Sequence, residues 1–189
     1  QSYTNWELII VNDGPNQETR EAVQALNDPR VTYLEFPNRS QYPADPYLRW
    51  LVAGSPGMNK GAELASGKWI APLDDDDEFA PDHIERLLEL ARSSKAEFVY
   101  GKILQHRIET GESVEIYSDP PEAGQISMQA ALYHAGIRFL SYDIESWRSD
   151  EPGDWNLIRR IMAAGVRISS VPEVVTTVHM LPFQSKPTG

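Results

Sequence analysis

Between Gly67 and Pro81 an apolar run meets four consecutive carboxylates, Asp74, Asp75, Asp76 and Asp77. Lys68 to Leu73 reads as a short strand built on Trp69, Ile70 and Leu73. Pro81 and Asp82, followed by apolar residues at Ile84, Leu87, Leu88 and Ala91, open a helix that runs to about Ser93. Strand, acidic turn and helix in that order point to an α/β fold and put the carboxylates at the carboxyl end of a strand, where open sheets bind ligands. Like charges this close raise one another's pKa unless a cation or a donor-rich partner neutralises them. Hard oxygen ligands on a tight turn suit Mg²⁺ or Mn²⁺ carrying substrate phosphates. The same residues also suit a solvated loop that caps the next helix through Asp82 or Asp77. A calcium loop would use Asp74, Asp76, Glu78 and Glu85, but Phe79 stands where that loop needs glycine.

The preceding residues repeat the theme. Trp6 to Val11 is a nearly continuous apolar run, as in a strand covered on both faces. A turn at Asn12 to Pro15, a helix from Glu18 to Leu26 with Ala22, Val23, Ala25 and Leu26 inward, and a strand from Val31 to Phe36 complete a right-handed βαβ unit. Asp13 therefore also stands at the end of a strand, facing the same crevice as the acidic turn. Pro37 to Gly57, with four prolines, reads as a flap beside the site. A short helix from Gly57 to Ala65 carries Lys60, a cation that could meet a diphosphate or simply be solvated.

Beyond the acidic stretch, Phe98 to Arg107 and Ser113 to Tyr117 form a hairpin, which makes the sheet mixed. Ile126 to Phe139 divides safely into neither helix nor strand. Asp154 opens a helix from Trp155 to Ala164 with Leu157, Ile158, Ile161 and Met162 inward, either as its N-cap or as a functional acid. Val166 to Val171 and Val174 to Val178 read as two short strands, the second ending at His179, a structural residue or a ligand for metal or phosphate.

One domain over residues 1–189 is expected from the length. A formal net charge of -11 argues against nucleic acid as partner, so any bound phosphate must be met locally. With no cysteine, thiol catalysis, disulfides and Cys-ligated zinc are excluded, which fits a reducing compartment such as the cytoplasm. No apolar run has the length of a transmembrane segment. Neither a Gly-rich phosphate loop nor a nucleophile elbow is present.

Together, the opening run Gln1 to Asp13, the Asn59, Lys60, Gly61 helix, the stretch Ala65 to Asp77, the Asp154-Trp155 helix start and the pair Val178-His179 resemble the family 2 glycosyltransferases of the GT-A fold. The resemblance implies a mixed, mainly parallel sheet flanked by helices with a Rossmann-like nucleotide-binding half, here without the family's first strand and helix. It also implies transfer of a sugar, with inversion, from a nucleotide-diphosphate donor, with UDP favoured, to a hydroxyl of a glycan, lipid or small-molecule acceptor. Asp13 matches the residue that binds the base, and Asp74 or Asp75 the one that binds the ribose. Asp76 matches the metal ligand, Asp154 the catalytic base, and His179 a ligand of metal or diphosphate. The acidic pair before the Trp is here Gly153-Asp154, and Tyr42 to Pro56 replaces a shorter connection. Two alternatives stand beside it: a nucleotidyltransferase acting on a sugar phosphate, which shares the metal-and-nucleotide logic, and a non-catalytic sugar-nucleotide-binding domain that has kept the fold and lost part of the site.

Overall fold

The computed structural model describes residues 1–180, so the last residues of the domain expected over 1–189 lie outside the described part. The βαβ unit forms as expected: strands β1 (Leu8–Asn12) and β2 (Val31–Glu35) pair in parallel, with Leu8 opposite Val31 and Asn12 opposite Glu35. Helix α1 (Gln17–Ala25) connects them, and its first turn is capped by the Asn16 side chain, which accepts from the Thr19 N–H at 3.1 Å. Its expected inward face is largely absent. Ala22, Ala25 and Leu26 are exposed and only Val23 is half-buried, because two strands alone offer a nine-residue helix little surface to cover.

The second half of residues 37–57 forms packed structure rather than a flap. Helix α2 (Pro46–Trp50) is capped by Asp45, which accepts from Leu48 N–H at 2.9 Å. Leu51 and Val52 behind it belong to the core, a burial that a loose cover over the site would not have. Gly54 takes the left-handed conformation (φ 76) that breaks the chain before helix α3 (Ser55–Leu64).

Strands β3 (Trp69–Ile70), β4 (Glu78–Phe79), β5 (Phe98–Arg107), β6 (Ser113–Ile116), β7 (Ala131–His134) and β8 (Ile168–Met180) make a second sheet. Its order is β3-β7-β5-β8-β4, with β6 on the outer end of β5. The sheet is mixed, as expected, with a smaller parallel share. Within it only β5 and β8 run parallel, and the hairpin and the returns through β7 and β4 are antiparallel. β3 is shorter than the expected run to Leu73 because Pro72 has no N–H for a ladder, and Leu73 points outward. The unassigned Ile126–Phe139 stretch is a 3₁₀ turn (Met128–Ala130), then β7, then a second 3₁₀ turn (Ala135–Ile137).

The two short strands expected at 166–178 are one strand, β8, with its register against β5 shifted between Ser170 and Val174. Pro172 and Glu173 sit in that bulge, where a missing N–H costs no ladder bond. Gly101 faces it on β5, since a Cβ there would lie 2.5 Å from Val175 Cγ1.

The sheet has a core on each face, and β5 alternates between them. Phe98 and Tyr100 pack with Tyr133, Leu157, Ile158 and Ile161, while Val99 packs with Leu87, Leu88, Ala91 and Val175. The first layer is closed by α5 (Gly153–Ala163) and the second by α4 (His83–Ser94). Both helices bury the stripes read from their spacing, except that Met162 falls off the 157/158/161 stripe and is exposed.

Candidate active site

The acidic turn is fastened at both ends. β3 leads in, β4 leads out against Thr176 and Thr177 of β8, and Asp77 N–H donates to Asp74 C=O at 3.3 Å. Within the turn, Asp74 and Asp77 are half-buried while Asp75 and Asp76 are exposed. One carboxylate oxygen from each of Asp74, Asp76 and Asp77 lies within 4.8 Å of the others. Asp75 is exposed and is not a member of this group. An all-carboxylate, partly exposed donor set of this size fits a hard divalent cation such as Mg²⁺ or Mn²⁺.

The electrostatics bear the mark of crowding. Burial, then the charges of Asp154, Asp77 and Asp76, push Asp74 up to about 7 against a hydrogen bond from Gln129. Burial also lifts Asp77 to about 6, although the His179 N–H donates to its Oδ1 at 3.0 Å. Asp154 is raised as well, by burial.

Asp154 sits in the first turn of α5, but it is not the N-cap. Pro152 occupies that position without a side-chain bond, and Asp154 Oδ2 instead accepts from Met128 N–H at 2.9 Å, across the core. Of the two residues considered as caps of the next helix, Asp82 does stand at the N-cap of α4, though without a side-chain cap bond, and Asp77 does not. Asp82 pairs with Arg86 in an ion pair, and Asp77 holds β8. Asp154 and Asp74 are therefore brought together from α5 and the acidic turn, close enough for each charge to matter to its surroundings.

Asp13 follows β1 and its Oδ1 accepts from Ser40 N–H at 2.9 Å. Burial raises its pKa, but the Ser40 and Tyr42 hydroxyls, the Ser40 amide and the Arg39 charge outweigh that and hold it low. Tyr42, pushed up to about 12 by burial and Asp13, is also bonded by the Gly54 amide. A Cβ on Gly54 would stand 3.7 Å from Asp74 Oδ1, so Tyr42 and Gly54 bridge Asp13 to the acidic turn. Lys60 lies on α3 with its Nζ 3.0 Å from both Glu63 carboxylate oxygens, engaged along its own helix. His179 adjoins the turn through its backbone, while its ring packs edge-on against His106 at 5.7 Å, with Nε2 3.5 Å from Glu78 Oε1.

Three neighbours escaped the sequence reading. Gln129 donates to Asp74, and Met128 holds Asp154. Tyr142 is buried with a hydroxyl that has no partner among the described residues, and burial followed by Asp154 and Asp74 raises it far above its usual value. Its backbone is clasped by Asn59, whose Oδ1 accepts from Tyr142 N–H at 2.8 Å and whose Nδ2 donates to the Tyr142 carbonyl at 2.9 Å. Only Asn59, next to Lys60, fell within a stretch that drew notice. None of the others has a spacing signal, because each is placed by tertiary packing.

Residues 1–45 and 49–144 match the model of the family described as glycosyl transferase family 2. The chain belongs to that family. A putative colanic acid biosynthesis glycosyl transferase, WcaA of Escherichia coli (strain K12), is 34% identical over 90 residues, covering 47% of this chain and 28% of the relative. The UDP-Glc:alpha-D-GlcNAc-diphosphoundecaprenol beta-1,3-glucosyltransferase WfgD of Escherichia coli is 29% identical over 102 residues, 53% of this chain and 35% of the relative. This chain thus spans about a third of these family members' length. The crystal structure of S. aureus TarS 1-349 in complex with UDP superposes with a TM-score of 0.68 at 11% identity, covering 96% of this chain and 54% of that one. The fold is accordingly of the GT-A type, with helices flanking a curled mixed sheet. The family match ends at residue 144, before Asp154, so the placement of that carboxylate rests on α5 and its bond to Met128.

Proposed function

We propose that this chain is a single glycosyltransferase domain that moves a sugar from a nucleoside-diphosphate donor, UDP in the first instance, to an acceptor hydroxyl with inversion. The observation that carries the reading is the meeting of Asp154 with the carboxylate group of Asp74, Asp76 and Asp77. WfgD is named for a UDP-glucose donor, and TarS was crystallised with UDP and with UDP-GlcNAc, which supports the choice of nucleotide. The acceptor stays at the level of a glycan, lipid or small-molecule hydroxyl, and a cytoplasmic location belongs to the same proposal.

Asp76, with Asp74 and Asp77 beside it, would hold Mn²⁺ or Mg²⁺, with His179 at the rim. The ion would supply Lewis-acid stabilisation of the negative charge that develops on the leaving diphosphate. Asp13 receives the base and Asp74 or Asp75 the ribose, and Lys60 reaches a phosphate only by leaving Glu63. Asp154 takes the proton of the attacking hydroxyl. Its raised pKa makes it a stronger base than a solvated carboxylate, and the Met128 N–H keeps it oriented.

Calorimetry with UDP and Mn²⁺, paired with a donor-hydrolysis and transfer assay, tests the reading. Asp76→Ala is expected to lose metal-dependent UDP binding. Asp154→Asn is expected to keep that binding while transfer falls roughly 10²- to 10⁴-fold, the usual worth of a general base. A parent protein that ignores nucleoside diphosphates with metal present, or an Asp76→Ala variant that binds like the parent, overturns it.

A further inference from the structure

We propose that Gln129 is a positioning residue of this site, fixing the Asp74 carboxylate relative to Asp154 through the turn Ser127–Ala130. This rests on the reading of the site as a cation- and nucleotide-binding centre. Three consecutive residues of that turn divide the work. The Ser127 hydroxyl donates to Gln129 Oε1 at 2.5 Å, which obliges the amide to present its N–H side to Asp74, where Nε2 donates to Oδ2. The Met128 N–H donates to Asp154 Oδ2 at 2.9 Å. The Gln129 carbonyl accepts from the Thr176 hydroxyl at 2.7 Å, tying the turn to β8, and Met128, Gln129 and Ala130 are all buried.

Two carboxylates that repel each other are thus held by donors on one short, buried turn, and the geometry of the turn sets their separation. The amide suits this task. It is a neutral donor, so it orients Asp74 without cancelling the charge that a cation would meet, as Lys or Arg in the same place would. With Oδ2 taken by Gln129, Oδ1 remains on the side of Gly54. A glutamine that merely satisfies a buried carboxylate would affect folding. One that positions it must also affect what Asp74 does.

The test compares the parent with Gln129→Met, which keeps the volume and removes the donor, and with Ser127→Ala, which frees the amide to turn over. Crystal structures without metal give the Asp74 orientation, Mn²⁺ binding followed by electron paramagnetic resonance gives affinity, and thermal melting gives stability. The expected result is a reoriented Asp74 and about tenfold weaker Mn²⁺ binding in Gln129→Met, since a hydrogen bond to a charged group is worth roughly that much. About threefold weaker binding is expected in Ser127→Ala, with melting little changed. Asp74 unmoved in the variants, or Mn²⁺ affinities within twofold of the parent, overturns the positioning role. Should Gln129→Met not fold, Ser127→Ala decides by the same two readouts. If the parent itself binds no Mn²⁺ while Asp74 still reorients in the variants, the functional reading fails and the positioning role stands.

Discussion

Cation binding to the acidic turn must displace protons. Asp74 is lifted to about 7 and Asp77 to about 6, chiefly by burial and then by neighbouring carboxylates. A divalent ion needs both ionised. Near pH 6.5 Asp74 is about three-quarters protonated and Asp77 about one-quarter, so binding Mn²⁺ should release about one proton. Moving from about pH 8 to about pH 6 should weaken apparent affinity roughly twentyfold, because the doubly ionised form falls to about one molecule in twenty. The sign follows from the raised values: acid populates the protonated native state, which competes with the ion. Calorimetry in two buffers of different ionisation enthalpy counts the protons directly, and a titration series gives the affinity. A proton count near zero at pH 6.5, or an affinity flat between pH 6 and pH 8, would refute the reasoning that these carboxylates are crowded, partly protonated and shared by one cation.

Buried His83 works in the other direction. Burial depresses its pKa from 6.5 to about 4, so the native state resists protonation while the unfolded chain accepts it. Its share of stability is present above about pH 6.5 and lost toward pH 4, on the order of 3 kcal/mol. Asp74 and Asp77 oppose this by gaining protons as pH falls. The difference in urea stability between the parent and His83→Gln across that range isolates the histidine, and parallel pH profiles would count against it. At Gly101 an added methyl would meet Val175 Cγ1 at 2.5 Å and the Glu173 carbonyl at 3.0 Å. Gly101→Ala should therefore cost about 1–3 kcal/mol in thermal or urea unfolding, and a variant as stable as the parent would show that the bulge has room to shift.

Elements whose pattern is local were legible before any coordinates. α4 and α5 carry apolar stripes at helical spacing, β5 alternates between two cores, and the four aspartates form a turn, although it lies between β3 and β4, separated from the end of β3 by three residues. What was hidden depends on contacts distant in sequence. Pro172 looks like a break between two strands, yet β8 passes through it because β5 tolerates a bulge there. The prolines around α2 look like a mobile cover until Leu51 and Val52 are seen in the core. Asp154 was legible as an acid at a helix start, but not its bond to Met128, and Gln129 and Tyr142 carry no periodic signal at all. The site is thus readable in its charges and unreadable in the donors that orient them.

β8 is rooted in the middle of the protein at Val175 and Thr176, and only four residues after Val175 its main chain grips Asp77. The acidic turn is consequently anchored to the deepest part of the molecule as well as by its own bond from Asp77 to Asp74. A modest change beneath β8, far from any ligand, would therefore blur the placement of the carboxylates on the acidic turn.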